Sequence, residues 1–512
     1  MLTPLVVVSP SEPREQTADQ QVQQVLNRMA FGPRPGDVAK VRALGVDQWI
    51  ALQLAPDRID DGAADRIVAS YEMLGRPTSE LVAMYDNGQQ AIRQQQKQQA
   101  QQGDTSGKKD LRAEILQANP QLREQLRQNQ RILGDLQSAK LARAVISDRQ
   151  LAEVMTDFWE NHFSVYAGKG LDRIFLPAYD RDVIRPNSLG KFRDLLGAVA
   201  RHPAMLRFLD NEQNAANRIN ENYARELMEL HTLGQGAGYS QQDVQEMARV
   251  LTGVGVNLGT DNPKVRNDLQ RDYVRAGLFE FNPNRHDYGA KTLLGQPIRS
   301  RGLAELDEAL DRLAKHPATA HFISRKLAQY WLSDDPPPAL VERMAQSFLK
   351  SEGDIAVTLQ TLLASPEYAQ GAGQKFKDPV HYVVSAVRLA YDDKPILNVG
   401  PMLNWLNRMG EPLYGRQTPD GYALDTAAWS SPGQMATRFE IAKAIGSGNA
   451  GLFKTDGPQP LEKPAFPQLA NALYYRALGQ TLGPNTQQAL AQATSAQEWN
   501  SFLLSSPELM HR

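Results

Sequence analysis

The stretch NENYARELMELHTLG, from Asn220 to Gly234, has the residue spacing of one amphipathic helix. Its apolar residues recur three and four positions apart, so at about 100° per residue they form a single arc. The arc consists of Tyr223, Ala224, Leu227, Met228 and Leu230. Glu226 is predicted at the edge of the arc and His231 inside it. Arg225 and Glu229, four residues apart on the opposite face, are predicted to pair.

The same spacing of apolar residues runs through most of the chain, while period-two alternation is almost absent. It predicts a mainly α fold, a multi-helix array with long Pro/Gly-rich loops and little or no β-sheet. Changes in the pattern divide the chain into five regions. They are an N-terminal helical region (1–132), a central helical core (133–258), a loop or small hairpin (259–302), a helical region (303–391), and a loop-rich rim with C-terminal helices (392–512).

One segment of the first region departs from this pattern. Residues 88–110 are rich in glutamine and contain the interruption GDTSG. Such a segment cannot bury enough apolar surface to offset the entropy lost on ordering it. It predicts a solvated helix with a flexible loop near Gly103–Lys109.

Composition and charge restrict the classes of function. The hydrophobic content of 41% and the charged content of 22% are those of a folded globular protein. A formal net charge of −2 provides no basic field for nucleic acid or anionic lipid. No stretch approaches the length of a membrane span, and the absence of cysteine excludes disulfides, thiolate metal sites and thiol nucleophiles.

The segment LAEVMTDFWENHFSV, residues 151–165, repeats the helical pattern with His162 near the centre of its apolar arc. Glu153, Asp157 and Glu160 are predicted on its other face. If this helix packs against the one at Asn220–Gly234, His162 and His231 approach each other where burial lowers the pKa of an imidazole. The alternative is that each histidine fills an ordinary core position and hydrogen-bonds a neighbour.

A third candidate segment is the loop NPNRHDYG, residues 282–289. Arg285, His286, Asp287 and Tyr288 follow one another there, and they are the residue types of an anion clamp, a base, its orienting acid and a second acid. The alternative is a turn whose side chains pair at the surface.

The loop-rich rim supplies aromatic side chains. Tyr414, Tyr422 and Trp429 are interleaved there with glycine and proline. Such rings offer stacking surfaces for sugar rings, or they simply pack the loop.

Several segments in order along the chain resemble a widespread bacterial family known as domain of unknown function eighteen hundred. These segments are LNRMAFGPRPGD, DFWENHFSV, HPAMLRFLD, NENYARELMELHTLG, YSQQDVQEMARVLTG, NRHDYGAKTLLG, LASPEY, DPVHYVVSAVRL and PDGY. The resemblance implies a periplasmic or extracellular location with the signal peptide removed, although a cytoplasmic location is not excluded. It also implies a sulfatase-like protein partner. It carries no activity and no list of catalytic residues.

The residues themselves favour an acid–base enzyme, a hydrolase or lyase that acts on a polar extracellular polymer such as a glycan. In this hypothesis Glu226 or His286 is the base, Tyr223 or His162 donates the proton, and Arg225 or Arg285 neutralises negative charge. Further substrate contacts are predicted from Asn222, Asp287, Tyr288, Trp159, Asn161 and His231.

Two other hypotheses stay open. The first is a noncatalytic binding or assembly protein that works with the sulfatase-like partner. The second is a metalloenzyme whose site combines His162, His231, Glu226 and His286, but no HExxH motif supports it and no metal ligand is assigned. No cofactor is predicted, because no glycine-rich phosphate loop follows a strand.

Overall fold

The predicted mainly α fold is confirmed by a computed structural model of the chain, which describes residues 18–86, 120–371, 373–454 and 466–512. The loop predicted near residues 103–109 lies outside these ranges. Helices occupy most of the described chain, and their connections are loops rich in glycine and proline. None of the described helices combines the length and apolar character that a membrane span requires.

The helices of the N-terminal half precede a short β region. They are α1 (Ala18–Met29), α2 (Pro35–Leu44), α3 (Val46–Gln53), α4 (Gly62–Ala69), α5 (Pro120–Ile146), α6 (Gln150–His162), α7 (Asp172–Ala178), α8 (Phe192–Arg201), α9 (Pro203–Phe208), α10 (Asn222–Glu229) and α11 (Gln241–Val250). A π-helical turn, Tyr179–Ile184, extends α7 and leads into a short helical turn, Arg185–Asn187.

The helices of the C-terminal half follow the β region. They are α12 (Leu303–Ala314), α13 (Pro317–Trp331), α14 (Pro338–Lys350), α15 (Ile355–Leu363), α16 (Pro366–Gln370), α17 (Pro379–Tyr391), α18 (Gly400–Arg408), α19 (Pro432–Gly446), α20 (Pro484–Gln492) and α21 (Ala496–Leu504). Several begin at a capping side chain followed by proline, the usual start of a helix. Asp378 caps α17 in this way by accepting a hydrogen bond from the backbone N–H of His381.

The β content is small, and four of the five described strands fall where a loop or small hairpin was predicted, whereas β1 lies just before that region. Three strands form one antiparallel sheet, and two shorter strands form another: β1 (Val254–Val256), β2 (Val274–Ala276), β3 (Phe279–Phe281), β4 (Thr292–Leu293) and β5 (Gln296–Pro297). In the larger sheet β3 lies between β1 and β2. The β2–β3 hairpin turns at Gly277, whose φ of +61° is a conformation that glycine adopts without strain.

One contiguous apolar core extends from Val22 in α1 to Met510 near the C-terminal end. Helix α10 contributes the arc predicted for it, since Tyr223, Ala224, Leu227 and Met228 are all buried. Helix α6 differs from an ordinary amphipathic helix because it is buried on nearly every side, its charged residues included. The candidate site described below lies against these buried charges.

The prediction that His231 lies on helix α10 is wrong, because the helix ends at Glu229. The next residues form a tight turn, in which Leu233 donates a backbone hydrogen bond to the carbonyl of Met228 and the Thr232 hydroxyl donates to the carbonyl of Leu227. Gly234, with φ +87°, then leads the chain away. His231 is nevertheless fully buried.

Candidate active site

A pocket of about 590 Å³, including its opening to solvent, lies against the C-terminal half of α6. We call it the acid pocket, because four carboxyl side chains from three separate parts of the chain line it. The polar and aromatic residues of its lining are Lys140, Asp157, Glu160, Asn161, Ser164, Tyr330, Asp378, Glu411, Tyr414, Arg416 and Tyr422. Apart from the two cations, Lys140 and Arg416, these groups are carboxyls, phenols, one amide and one hydroxyl.

Lys140 of α5 is the buried cation of the acid pocket. Its Nζ lies 2.7 Å from an oxygen of Asp157 and also contacts Glu160. Burial opposes the charge on this amine, but the two carboxylates outweigh it and raise the pKa of Lys140. The second oxygen of Glu160 accepts a hydrogen bond of 2.9 Å from the hydroxyl of Tyr414.

Buried negative charge exceeds buried positive charge around Lys140. A second cation, Arg185, bonds Glu153 at 2.6 Å and Asp180 at 3.2 Å. The carboxyl groups around these two cations are four: Glu153, Asp157, Glu160 and Asp180. Burial, together with the charge of Asp180, raises the pKa of Glu160 to about 8 despite Lys140. Glu160 therefore holds a proton at neutral pH and shares it with Asp180.

Asp378 lies on another wall of the pocket and is ionised. The Nη1 of Arg512 donates to Nε2 of His381, which leaves the imidazole proton on Nδ1, 2.9 Å from the Asp378 carboxylate. Burial would raise the pKa of Asp378, but the ring and backbone N–H groups of His381 and the charge of Arg512 outweigh it. The pKa of Asp378 is therefore held below its ordinary value.

Glu411 is the counterpart of Asp378, because its surroundings favour the protonated form of the carboxyl. One of its oxygens accepts a 3.0 Å hydrogen bond from the backbone N–H of Val380. Its burial, reinforced by the charges of Asp378 and Asp157, raises the pKa of Glu411 well above its ordinary value. The pocket thus contains a carboxylic acid and a carboxylate whose pKa values their surroundings drive apart.

The loop after α18 closes one side of the pocket and is fixed to Asn161. The side-chain amide of Asn161 accepts a 2.6 Å hydrogen bond from the backbone N–H of Tyr422 and donates a 2.9 Å hydrogen bond to the Tyr422 carbonyl. Gly421, with φ +75°, allows this approach, because a Cβ there would lie 2.2 Å from the Asn161 carbonyl oxygen. The loop brings the rings of Tyr414 and Tyr422 to the pocket.

This arrangement suits general acid–base chemistry. A protonated carboxyl can donate to a leaving group, and a neighbouring carboxylate can accept a proton or stabilise positive charge. The rings of Tyr414 and Tyr422 provide flat surfaces with hydroxyl groups at their ends. Among the described residues, no three His, Asp or Glu side chains form a cluster suited to a metal ion.

Of the twelve predicted site residues, Asn161 is the one that lines the acid pocket. Its neighbour Trp159 does not, because it is fully buried and donates its indole N–H to the Ser188 carbonyl at 2.9 Å. Tyr414 and Tyr422 of the predicted rim also line the acid pocket. Trp429 instead packs against Tyr422, with ring centroids 6.1 Å apart.

His162 and His231 are close together, as predicted, with ring centroids 6.1 Å apart. His162 bonds the His231 carbonyl through Nε2 and accepts from Lys326 through Nδ1, at 3.2 Å and 3.0 Å. Burial, followed by the charge of Lys326, lowers the pKa of His162 well below its ordinary value and that of His231 to about 3. Burial likewise lowers the pKa of Lys326 to about 8, against the charge of Asp420.

The predicted residues of α10 are divided between core and surface. Tyr223 is fully buried, and burial raises the pKa of its phenol. Asn222 donates to the Leu209 carbonyl at 3.1 Å, and Arg225 pairs with Glu229 at 3.5 Å as predicted. Glu226 is half-buried, and burial followed by the charge of Glu229 raises its pKa.

The side chains of the loop at residues 282–289 bond to neighbouring residues. His286 is buried, with Nδ1 2.8 Å from the Thr252 carbonyl and Nε2 3.2 Å from Glu305. Asp287 pairs with Arg249 at 2.7 Å. Tyr288 donates to Asp272 at 2.8 Å, and Arg285 donates to the Glu212 carbonyl at 2.7 Å.

These contacts do not join the loop to Glu226 or His162. The shared cleft between the core helices and the loop therefore stays a prediction that no contact among the described residues supports. The acid pocket takes its residues from elsewhere in the chain.

Sequence reasoning did not assign a site role to Lys140, Asp157, Glu160, Asp378, Glu411 or Arg416. A signal for some of them was present in the segments that carry the family resemblance. DFWENHFSV contains Asp157, Glu160 and Asn161, DPVHYVVSAVRL contains Asp378, and PDGY contains Tyr422. Those short segments meet at one pocket.

Comparison with known proteins gives one result. No curated protein and no solved structure matches the chain. The profile of one family, described as "Protein of unknown function (DUF1800)", matches residues 24–511, nearly the whole length of the chain. The match confirms the resemblance that the short segments carry, and the chain belongs to the DUF1800 family of proteins of unknown function.

Proposed function

We propose that the protein is an acid–base enzyme, a hydrolase or lyase, whose active site is the acid pocket. The observation that carries the proposal is that Glu411 and Asp378 line one pocket while their surroundings raise the pKa of Glu411 and lower that of Asp378. Environments that drive the pKa values of two acids apart are typical of acid–base sites. Glu411 is the proton donor in this proposal, and Asp378 is the base or the stabiliser of positive charge.

The proposed substrate is a polar polymer such as a glycan. Glycosidic bonds are cleaved by pairs of carboxyl groups in which one is protonated and the other ionised. The rings of Tyr414 and Tyr422 supply the flat surfaces on which sugar rings stack. Arg416, which lines the same pocket and pairs with Asp420 at 2.6 Å, is suited to contact a polar substituent of the sugar.

The proposal includes an exported location and a sulfatase-like protein partner. Their support is the family resemblance, which implies both. Capture of the protein from a periplasmic or culture-fluid fraction, followed by identification of a stoichiometric partner, tests them. Recovery from the cytoplasm alone, without such a partner, would contradict this part of the proposal.

The test of the activity is a screen of purified protein against polysaccharides, with release of reducing or unsaturated ends as the readout. Glu411→Gln and Asp378→Asn are each expected to lose about 10²- to 10⁴-fold in kcat. Both variants keep the local hydrogen bonds, because glutamine still accepts from Val380 and asparagine is as good a helix cap as aspartate. Glu440→Gln, at an exposed carboxylate of α19, is the matched control.

The pH profile separates a catalytic role from a structural one. Activity should fall at high pH as Glu411 loses its proton, and at low pH as Asp378 gains one. Glu411→Gln should remove the alkaline limb of the residual activity. Folded Glu411→Gln and Asp378→Asn variants with full activity would overturn the proposal.

A further inference from the structure

A second pocket shares Lys140 with the acid pocket. It holds about 730 Å³ of empty space, including its opening, and lies between α4, the turn Glu72–Gly75, α5 and the π-helical turn. We call it the basic pocket. Lys140 lines both pockets, so this one side chain stands between them.

The basic side of the pocket is built by two helical elements. Lys140 and Arg143 are three residues apart on α5, and Arg181 and Arg185 are four apart on the π-helical turn and the helical turn that follows it. Residues at these spacings share one helix face, so each element presents two cations to the same space. Two acids, Glu72 and Asp180, complete the charged lining, which leaves the cations in excess.

The rest of the pocket lining is mainly apolar and aromatic. It includes Val68, Ala69, Tyr71, Leu74, Leu136 and Pro177. A ligand that fits both sides combines an apolar body with a negatively charged group. A pocket with mostly apolar walls and a few convergent charged groups is the usual form of a small-molecule site.

The four cations differ in their freedom to bind such a group. Lys140 and Arg185 are held by buried carboxyl groups in the network described above. Arg143 pairs with Asp65 at 3.2 Å and lies 4.0 Å from buried Asp61, whereas Arg181 pairs with Asp182 at 2.7 Å and donates to the Leu74 carbonyl. The carboxylates of Asp65 and Asp182 are more than half exposed, so a competing anion can replace them at little cost. Arg143 and Arg181 are therefore the two guanidinium groups available to a ligand.

We propose that the basic pocket binds a small amphipathic anion, an aromatic or aliphatic molecule that carries a sulfonate, sulfate, phosphate or carboxylate group. Arg143 and Arg181 bind the anionic group, because guanidinium forms paired hydrogen bonds with such oxyanions. The apolar body lies against Tyr71, Leu74 and Leu136. This proposal stands independently of the activity proposed for the acid pocket.

The test uses two fluorescent probes with the same rings. One is 1-anilinonaphthalene-8-sulfonate, and the other is N-phenyl-1-naphthylamine, which lacks the sulfonate. We expect the sulfonate probe to bind the wild-type protein saturably and on the order of tenfold more tightly than the neutral probe. Arg143→Gln and Arg181→Gln should each reduce that preference to nearly equal binding.

The matched control is Arg127→Gln, which removes an exposed arginine of the same helix outside the basic pocket. It should leave the preference unchanged. Circular dichroism of each variant establishes that it is folded. Equal affinity of the wild type for both probes, an unchanged preference in both pocket variants, or the same loss in Arg127→Gln would each overturn the proposal.

Discussion

Substitution of Lys140 by methionine tests the charge balance of the acid pocket. Methionine has a similar helix propensity, is one heavy atom shorter, and removes the ammonium group with its charge and hydrogen-bond donors. Side-chain exposures of 11% for Lys140, 6% for Glu160 and 16% for Asp157 make this a buried network. Removal of one partner from a buried ion pair costs about 3–5 kcal/mol, so we expect a loss of this size in the free energy of unfolding at neutral pH.

The loss should depend on pH in a direction that the structure determines. Without the cation, Glu160 keeps its proton in the folded state to higher pH and releases it on unfolding. When folding raises the pKa of an acid, the protein loses stability as pH increases from the unfolded pKa of that acid to its folded pKa. For Glu160 the unfolded pKa is near 4.5. Glu160 confers this dependence on the wild type up to about pH 8, where its folded pKa lies.

In Lys140→Met the carboxyl of Glu160 lacks its cation, so its folded pKa should lie above that of the wild type. Above about pH 8 the wild type releases this proton and the variant retains it, so the penalty should grow there by about 1.4 kcal/mol per pH unit. Urea unfolding between about pH 6 and 10 measures this penalty. Arg127→Met, in the exposed pair with Glu124 on the same helix, should cost less than about 1 kcal/mol at every pH. A Lys140→Met variant as stable as this control at pH 8, or a penalty independent of pH, would refute the reasoning.

Two further predictions concern the backbone beside the pocket and the buried histidines. Gly421→Ala should destabilise the protein by about 1–3 kcal/mol more than Gly410→Ala. Both glycines have positive φ, but the added Cβ meets the Asn161 carbonyl only at Gly421 and has nothing within 4 Å at Gly410. Equal unfolding midpoints in urea would count against this close contact. His231→Phe should change the free energy of unfolding by less than about 1 kcal/mol, because neither ring nitrogen of His231 has a hydrogen-bond partner among the described residues. His286→Phe should lower the free energy of unfolding by about 1–3 kcal/mol, because the ring of His286 bonds the Thr252 carbonyl and Glu305. His231→Phe should also make the protein more resistant to acid. Burial, followed by the charge of Lys326, lowers the folded pKa of His231 to about 3, so the wild type loses stability as pH falls below the unfolded value of about 6.5. Unchanged acid sensitivity of the variant in urea unfolding would contradict this.

The helical fold could be predicted because apolar spacing acts locally. The arc of α10 is present in fifteen consecutive residues, and the structure buries four of its five members, whereas Leu230 follows the helix and is only partly buried. The end of that helix was harder to place, since it depends on a tight turn at Thr232 and Gly234. The small sheet depends on pairing between distant residues, such as Val254 with Phe281, so the sequence indicated only a loop or hairpin.

The site could be predicted only in part, because its charged residues come from distant segments. Lys140, Asp378 and Glu411 meet through tertiary packing that no local pattern encodes. Asp157 and Glu160 were assigned to a face opposite the apolar arc of α6. A charged face usually points to solvent, but here α5 and the loop after α18 cover it, and the buried charges become the pocket.

The measurement that tests the central claim most directly is an infrared difference spectrum between the wild type and Glu411→Gln at neutral pH. The account predicts that the variant loses a band of a protonated carboxyl group, because Glu411 holds its proton beside ionised Asp378. Loss of an ionised carboxylate band instead would mean that the acid pocket contains no such proton donor, and the proposed chemistry would be contradicted.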